Sequence, residues 1–116
     1  MSITMFGIPN CDTIKKAKKW LDANNLEFSF HDYRKQGVTP ELINDFCEQL
    51  GWELVLNKRG TTYRQLSAEQ KEQLNADNVV ALLVEQPAMI KRPILSIDGQ
   101  YHIGFKAEQY QQIFNL

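Results

Sequence analysis

The stretch Ile3–Ala17, ITMFGIPNCDTIKKA, decides the fold of this chain. It begins with a short apolar-rich run that Gly7 and Pro9 end, and this pattern predicts a β-strand over Ile3–Phe6. We predict that a helix follows with Asn10 as its N-cap, because a short polar side chain can accept from a free N–H of the first turn. The helix carries one apolar stripe at helical spacing, formed by Ile14, Ala17 and Leu21.

A second strand is predicted after this helix. The helix is expected to end near Asn24–Asn25, since asparagine tolerates the left-handed conformation common at helix C-termini. Glu27–His31 then alternates, with Phe28 and Phe30 on one face, as a half-buried strand does. Two strands joined by a helix of this length predict a βαβ unit with parallel pairing.

The C-terminal part predicts a hairpin and a helix. Pro93–Ile97 is strand-like, Asp98–Gly99 is a strong two-residue turn signal, and Gln100–Ile103 is the returning strand. Ala107–Leu116 carries apolar residues at helical spacing. We therefore predict an α/β protein in which βαβ and ββα halves share one four-stranded mixed sheet, the plan of the thioredoxin-like fold.

The middle of the chain predicts mainly helices. Thr39 is a suitable N-cap and Pro40 suits the first helical position of a helix that ends before Gly51. Ser67, followed by Gln70, fits a capping box that opens a short helix to about residue 74. Further expectations are a connection at Arg34–Gly37, a polar loop at Asn57–Gln65, and a helix at Val79–Glu85 capped by Asp77 or Asn78.

Length and composition predict a single domain. The chain has 116 residues, of which 43% are hydrophobic, enough for one core. We expect residues 1–36 and 89–116 to form the thioredoxin-like part of this domain, interrupted by a helical insertion at 37–88. Thirteen Lys and Arg against fourteen Asp and Glu give a net charge of −1, which argues against direct nucleic-acid binding. We find no signal peptide and no apolar run long enough to cross a membrane, so we expect a cytoplasmic protein. We also expect it to be a monomer.

Cys11 is the sharpest chemical feature of the sequence. It falls at the start of the first predicted helix, where free N–H groups and the helix dipole stabilise a thiolate and lower its pKa. Lys15, one turn later, can add positive charge nearby. The alternative is a buried, inert cysteine. Cys47 lies beside the apolar stripe of another predicted helix, where we expect a small core residue.

Cations in two further segments are candidate partners of Cys11. If Pro93 opens a strand beside the first one, Arg92 comes close to Cys11, where a guanidinium can hold a carboxylate or oxyanion. The Arg92–Pro93 bond is a candidate for the cis isomer. The loop around Arg59 could supply a second arginine, although a solvated loop is the simpler interpretation. His31 and His102 have no partners at metal-ligand spacing, so no metal site is expected.

These residues resemble the ArsC family, the arsenate-reductase-like branch of the thioredoxin superfamily. The strongest match is Phe6–Ala17, and Asn57–Leu66 and Ile90–Ile94 also match in the right order. Within the family, the chain is most similar to YffB-type proteins, relatives of the Spx regulators. The resemblance implies a glutathione-dependent thiol reductase with Cys11 as nucleophile and no bound cofactor. It implies substrate or glutathione binding by Asn10, Thr13, Lys15, Arg59, Arg92 and Pro93.

Several positions depart from the family patterns. Arsenate reductases that use glutathione carry a His and an Arg where this chain has Gly7 and Lys15. One of their three arginines is replaced here by Phe105, so arsenate reduction is the lesser alternative. The Spx regulators have a CxxC motif, whereas Ile14 stands at its second cysteine here, which excludes that disulfide switch. An Spx-like non-catalytic regulator that binds the C-terminal domain of the RNA polymerase α subunit is the other alternative.

Overall fold

The structure, a computed structural model, describes all 116 residues and divides them into two compact units. Unit 1 comprises Met1–Asp32 and Arg92–Leu116, and unit 2 comprises Tyr33–Lys91. The boundaries lie a few residues from those expected for the insertion, and the single-domain organisation stays a prediction. Unit 1 contains β1 (Ile3–Gly7), α1 (Asp12–Ala23), β2 (Ser29–Asp32), β3 (Ile94–Ile97), β4 (Gln100–Ile103) and α8 (Ala107–Phe114). Unit 2 contains α2 (Tyr33–Gln36), α3 (Pro40–Leu50), α4 (Trp52–Val55), α5 (Thr61–Arg64), α6 (Ala68–Gln73), α7 (Val79–Glu85) and a 3₁₀ turn at Pro87–Met89.

Unit 1 is built on a four-stranded sheet in the order β2-β1-β3-β4. β1 pairs in parallel with β2 and antiparallel with β3, and β3 pairs antiparallel with β4. The turn between β3 and β4 places Asp98 at φ 50° and Gly99 at φ 89°, as a two-residue hairpin of this type requires. The predicted mixed sheet, parallel βαβ unit and hairpin are confirmed.

The core of unit 1 lies between the sheet and its helices. The predicted stripe of α1 is fully buried and packs with residues of β1, β3 and α8. Tyr110 of α8 is also buried, with its ring edge-on to Phe105 at 4.7 Å and to Trp20 at 5.5 Å between centroids. Since α1 is fixed along its whole length, its N-terminus has a defined position at the end of β1.

Unit 2 is an assembly of short helices. The Thr39 hydroxyl accepts from the N–H of Leu42 at 3.2 Å, and Ser67 and Gln70 form the reciprocal capping box, so both predicted caps are confirmed. Its buried side chains include Ile43, Phe46, Val55, Val79 and Leu83.

Some local predictions were wrong. Asn10 does not cap α1, because Cys11 itself occupies the N-cap position. The Arg34–Gly37 segment is largely the helical turn α2, and the predicted Asn57–Gln65 loop contains α5. Asn78 occupies the N-cap position of α7 as expected, but its side-chain oxygen accepts from the N–H of Asn75 at 2.8 Å and makes no hydrogen bond to the first turn of α7. β2 begins two residues later than predicted and extends to Asp32. None of the helices is long and apolar enough to cross a membrane.

Candidate functional site

The turn between β1 and α1 places Cys11 at the end of the sheet. Gly7 ends β1 with little space around it, since a Cβ there would lie 2.5 Å from Cδ1 of Ile14. Cys11 is extended, with φ −120° and ψ 125°, and its carbonyl accepts the N–H of Lys15 at 3.0 Å. Cys11 is therefore the N-cap residue of α1, next to the free N–H groups of the first helical turn.

Several groups act on the partly buried thiol of Cys11. Burial opposes ionisation and by itself raises the pKa. The nearby backbone N–H of Ile14, the guanidinium of Arg92 and the backbone N–H of Thr13 act in the opposite direction and lower the pKa, and Arg92 adds its positive charge. The outcome is a Cys11 pKa below its ordinary value, the direction expected for a thiolate at a helix N-terminus.

Sheet pairing explains why Arg92 reaches Cys11. β1 ends at Gly7 and its antiparallel neighbour β3 begins at Ile94, which pairs with Phe6. The end of one strand and the start of the other therefore lie at the same edge of the sheet, and Arg92 lies two residues before β3. The Arg92–Pro93 peptide bond is cis, as predicted, and the carbonyl of Pro93 accepts the N–H of Gly104 at 2.9 Å.

The other predicted site residues have different surroundings. Thr13 contributes its backbone N–H to the thiol, whereas the side chains of Asn10 and Lys15 are exposed to solvent. Lys15 is not one of the groups that lower the Cys11 pKa. Arg59 is exposed and belongs to unit 2, where its N–H donates to the side-chain oxygen of Asn57 at 3.2 Å. A role for Arg59 at the thiol therefore stays a prediction.

Sequence reasoning missed the part played by Ile14. Its N–H is the strongest of the groups that lower the Cys11 pKa, and its side chain lies against Gly7. The signal was available, because a residue three positions after an N-cap has a free N–H directed at the cap side chain. With the N-cap predicted at Asn10, the N–H expected to face the cap side chain was that of Thr13 and not that of Ile14.

Cys47 is the second free cysteine and differs chemically from Cys11. It is half-buried in α3, and burial raises the pKa of its thiol, so it is less ionised than Cys11 at neutral pH. The structure contains no group of three or more His, Cys, Asp or Glu side chains arranged to hold a metal ion. Of the two cysteines, Cys11, next to the guanidinium of Arg92, is therefore the one suited to react as a thiolate.

Comparison with known proteins shows the family of this chain. The model of the ArsC family matches residues 6–113, nearly the whole chain. The chain belongs to the ArsC family. An uncharacterized protein of Haemophilus influenzae is 44% identical over 112 residues, covering 97% of this chain and 98% of that protein. The regulatory protein MgsR of Bacillus subtilis is 28% identical over 105 residues, covering 89% of this chain and 82% of that protein.

Solved structures of ArsC relatives share the fold. A protein named YFFB superposes with a TM-score of 0.91 at 40% identity, covering 96% of this chain and 97% of that chain. An arsenate reductase (ArsC) related protein from Brucella melitensis superposes with a TM-score of 0.82 at 42% identity, covering 100% of this chain and 97% of that chain. This ArsC-family chain therefore has the arsenate reductase-like form of the thioredoxin-like fold.

Proposed function

We propose that this ArsC-family protein is a glutathione-dependent thiol reductase with Cys11 as its nucleophile. The observation that carries the proposal is the position of the Cys11 thiol at the N-terminus of α1 beside the guanidinium of Arg92, a setting that lowers the pKa of the thiol. A thiolate, and not a thiol, attacks a disulfide. Cys47 has a raised pKa and belongs to the other unit, so an external thiol is the better resolving partner.

The reaction has two exchange steps. The Cys11 thiolate attacks the glutathione sulfur of a mixed disulfide, so that the substrate leaves as a thiolate and takes up a proton, while Cys11 becomes bonded to glutathione. A second glutathione thiolate then attacks this intermediate, releasing glutathione disulfide and restoring the Cys11 thiolate. In total, the mixed disulfide and one free glutathione give the substrate thiol and glutathione disulfide, and one Cys11 serves both steps.

The neighbours of Cys11 are assigned roles in binding. Arg92 is suited to hold a carboxylate of glutathione through paired N–H donors while it stabilises the thiolate. The N–H of Thr13 also supports the anion. Asn10 is adjacent to Cys11, Pro93 is adjacent to Arg92, and Lys15 lies one helical turn after Cys11. These three residues are proposed to contact the bound thiol, with Arg59 as a second cation.

A pH titration of alkylation tests the nucleophile. The rate of iodoacetamide modification is measured in a Cys47→Ser background, with Cys11→Ser in that background as the control for the remaining reactivity. We expect an apparent pKa below about 8.5, the value of a free cysteine. Replacing Arg92 by Ala should raise it and slow reduction of a glutathione mixed disulfide. A Cys11 pKa at or above that of a free cysteine would remove the mechanism.

An Spx-like regulator is the second candidate function. It is supported by relatives that are named as regulators, MgsR among them. Another is the global transcriptional regulator Spx of Lactiplantibacillus plantarum, which is 20% identical over 112 residues, covering 95% of this chain and 84% of that protein. An NMR titration with the C-terminal domain of the RNA polymerase α subunit separates the two. Specific shifts with an unreactive Cys11 would favour the regulator, and absent shifts with Cys11-dependent turnover would favour the enzyme.

Arsenate reduction is a third and lesser candidate. Arsenate reductases that use glutathione resemble this chain. At the positions of Gly7, Lys15 and Phe105, however, they carry side chains that these three residues cannot replace. We expect no arsenate-dependent oxidation of glutathione above the Cys11→Ser background. Turnover of arsenate that depends on Cys11 and Arg92 would reverse this ranking.

A further inference from the structure

α7 has an unusual composition for a helix at the surface of unit 2. Six of its seven residues are apolar, yet only Val79 and Leu83 are buried, while Val80 and Val84 are half-buried and Ala81 is exposed. A surface helix ordinarily carries polar residues opposite its buried stripe. Valine is also a poorer helix former than alanine or leucine, so helix stability does not account for Val80 and Val84. The composition of α7 is that of a helix that is covered on a second side.

The second side of α7 faces a groove. This α3/α7 groove has a volume of about 560 Å³ and is lined by Pro40 and Asn44 of α3 and by Val80, Ala81 and Val84 of α7. Its volume lies within the range of about 300–1,000 Å³ that is typical of ligand sites. Val80 and Val84 are four residues apart, so they lie on the same side of the helix. The groove belongs entirely to unit 2 and contains no residue of the Cys11 site.

The rim of the α3/α7 groove is acidic. Asp77 just before α7 and Glu85 at its end both line the groove, and Glu41 is exposed in the first turn of α3. Residues 36–57 and 72–90, which contain the two helices, include four and three acidic residues, respectively, and no Lys or Arg. An apolar groove with a negative rim attracts a positively charged segment and repels nucleic acid and acidic lipid surfaces.

We propose that the α3/α7 groove docks a basic amphipathic helix of another protein, with apolar side chains in the groove and Lys or Arg against its rim. A helix suits the groove better than an extended segment, because the walls are side chains of two helices and offer no strand edge for pairing. A second copy of α7 does not suit it, since self-association would bring the carboxylates of two rims together. The lysines of α1 do not suit it either, because the apolar stripe of α1 is buried in its own unit.

A display library of helical peptides tests the docking on the full-length protein. The peptides are about 15 residues long and carry Leu at positions i, i+3, i+4 and i+7, while the flanking positions vary among Lys, Gln and Glu. At low salt we expect selection on the wild type to enrich Lys over Glu about tenfold, within the range of electrostatic steering. The preference should shrink at 1 M salt, where the Debye length is about 3 Å. Absent enrichment, or enrichment of Glu, would overturn the proposal.

Two variants locate the bound peptide. Val84→Gln removes an apolar side chain from the groove, and Leu54→Gln is the matched control, because Leu54 is 51% exposed in α4 and does not line the groove. An enriched peptide should bind Val84→Gln about three- to tenfold more weakly, since Val84 is already half-buried before the partner binds. It should bind Leu54→Gln and Cys11→Ser as it binds the wild type. Equal binding to Val84→Gln would place the peptide elsewhere and contradict the proposal.

Reversing the charge of the rim gives a test that leaves the apolar residues in place. In the double variant Asp77→Lys and Glu85→Lys, both at exposed positions, the library should enrich Glu in place of Lys. Reversal of the exposed Glu53 and Glu108, which lie outside the groove in α4 and α8, changes the net charge equally and should leave the preference for Lys. An unchanged preference in the first variant would contradict the role of the rim.

Sedimentation distinguishes the other occupants of the groove. The wild type is sedimented alone at high concentration and together with neutral phosphatidylcholine vesicles. We expect a monomer that does not bind the vesicles. A dimer, or vesicle binding, that Val84→Gln abolishes would overturn the choice of a basic helix, in favour of a second copy or a lipid surface.

Discussion

The side chain of Ile14 fills the space that a side chain at position 7 would need. A Cβ on Gly7 would lie 2.5 Å from Cδ1 and 3.2 Å from Cγ1 of Ile14, which is fully buried. These are two positions at which the chain departs from the family patterns that it resembles, namely the His of arsenate reductases and the second cysteine of Spx. The two departures are therefore physically coupled, since a side chain at position 7 requires the side chain of the buried Ile14 to move.

This coupling predicts a double-mutant result. Gly7→Ala should lower the free energy of unfolding by about 1–3 kcal/mol, the usual cost of overpacking. Ile14→Val removes Cδ1 and should cost about 0.5–1.5 kcal/mol alone. In the double variant the clash with Cδ1 is absent, so the total loss should be smaller than the sum of the single losses. Urea unfolding of the four chains measures the difference, and strictly additive losses would show that Ile14 does not limit position 7.

Tyr110 provides a second test of the core of unit 1. Its hydroxyl is buried without a hydrogen-bond partner, and burial raises the pKa of this phenol. An unpaired buried hydroxyl costs about 1–3 kcal/mol, so Tyr110→Phe should leave the free energy of unfolding unchanged or increase it. Tyr110→Leu removes the ring contacts with Trp20 and Phe105 and should decrease it. A loss of stability in Tyr110→Phe, seen by urea unfolding, would mean that the hydroxyl has a partner.

The N-cap of α3 predicts a stability change in unit 2. Thr39→Ala removes the hydroxyl that accepts from the N–H of Leu42 and should lower the free energy of unfolding by about 1 kcal/mol. Thr39→Ser keeps an acceptor at the cap and serves as the matched control, with a smaller effect expected. Chemical denaturation monitored by circular dichroism compares the two. Equal losses in both variants would assign the effect to the threonine methyl group.

The sequence predicted the elements that contain a strong periodic or turn signal. The apolar stripe of α1, the Asp98–Gly99 turn and the capping box at Ser67 each depend on neighbouring residues alone, and each is present. The helical turns α2 and α5 were missed, because four residues are too short for a helical period to be recognised.

The candidate site was predictable where chain topology alone determines it. Antiparallel pairing of β3 with β1 follows from the mixed sheet, and it brings Arg92 to Cys11. The N-cap was misplaced by one residue, because Asn10 has the stronger intrinsic preference for a cap and the choice of Cys11 depends on the turn after β1. Arg59 belongs to a different unit from Cys11. Neither residue spacing nor hydrophobic periodicity in the sequence predicts whether segments of two different units come together.

The lowered pKa of Cys11 predicts how protein stability changes with pH. A thiol that ionises more readily in the folded state loses its proton at lower pH when folded than when unfolded. Its contribution to stability is therefore absent below the folded pKa, grows as the pH rises, and is complete above the unfolded value of about 8.5. We expect the free energy of unfolding of the wild type, minus that of Cys11→Ser, to increase as the pH rises toward 9. Cys47 and the other groups contribute to both chains and cancel in this difference. Arg92→Ala should reduce the increase, because the guanidinium is one of its causes. Denaturation under reducing conditions at several pH values measures the trend, and a difference that stays constant or falls with pH would contradict a stabilised thiolate.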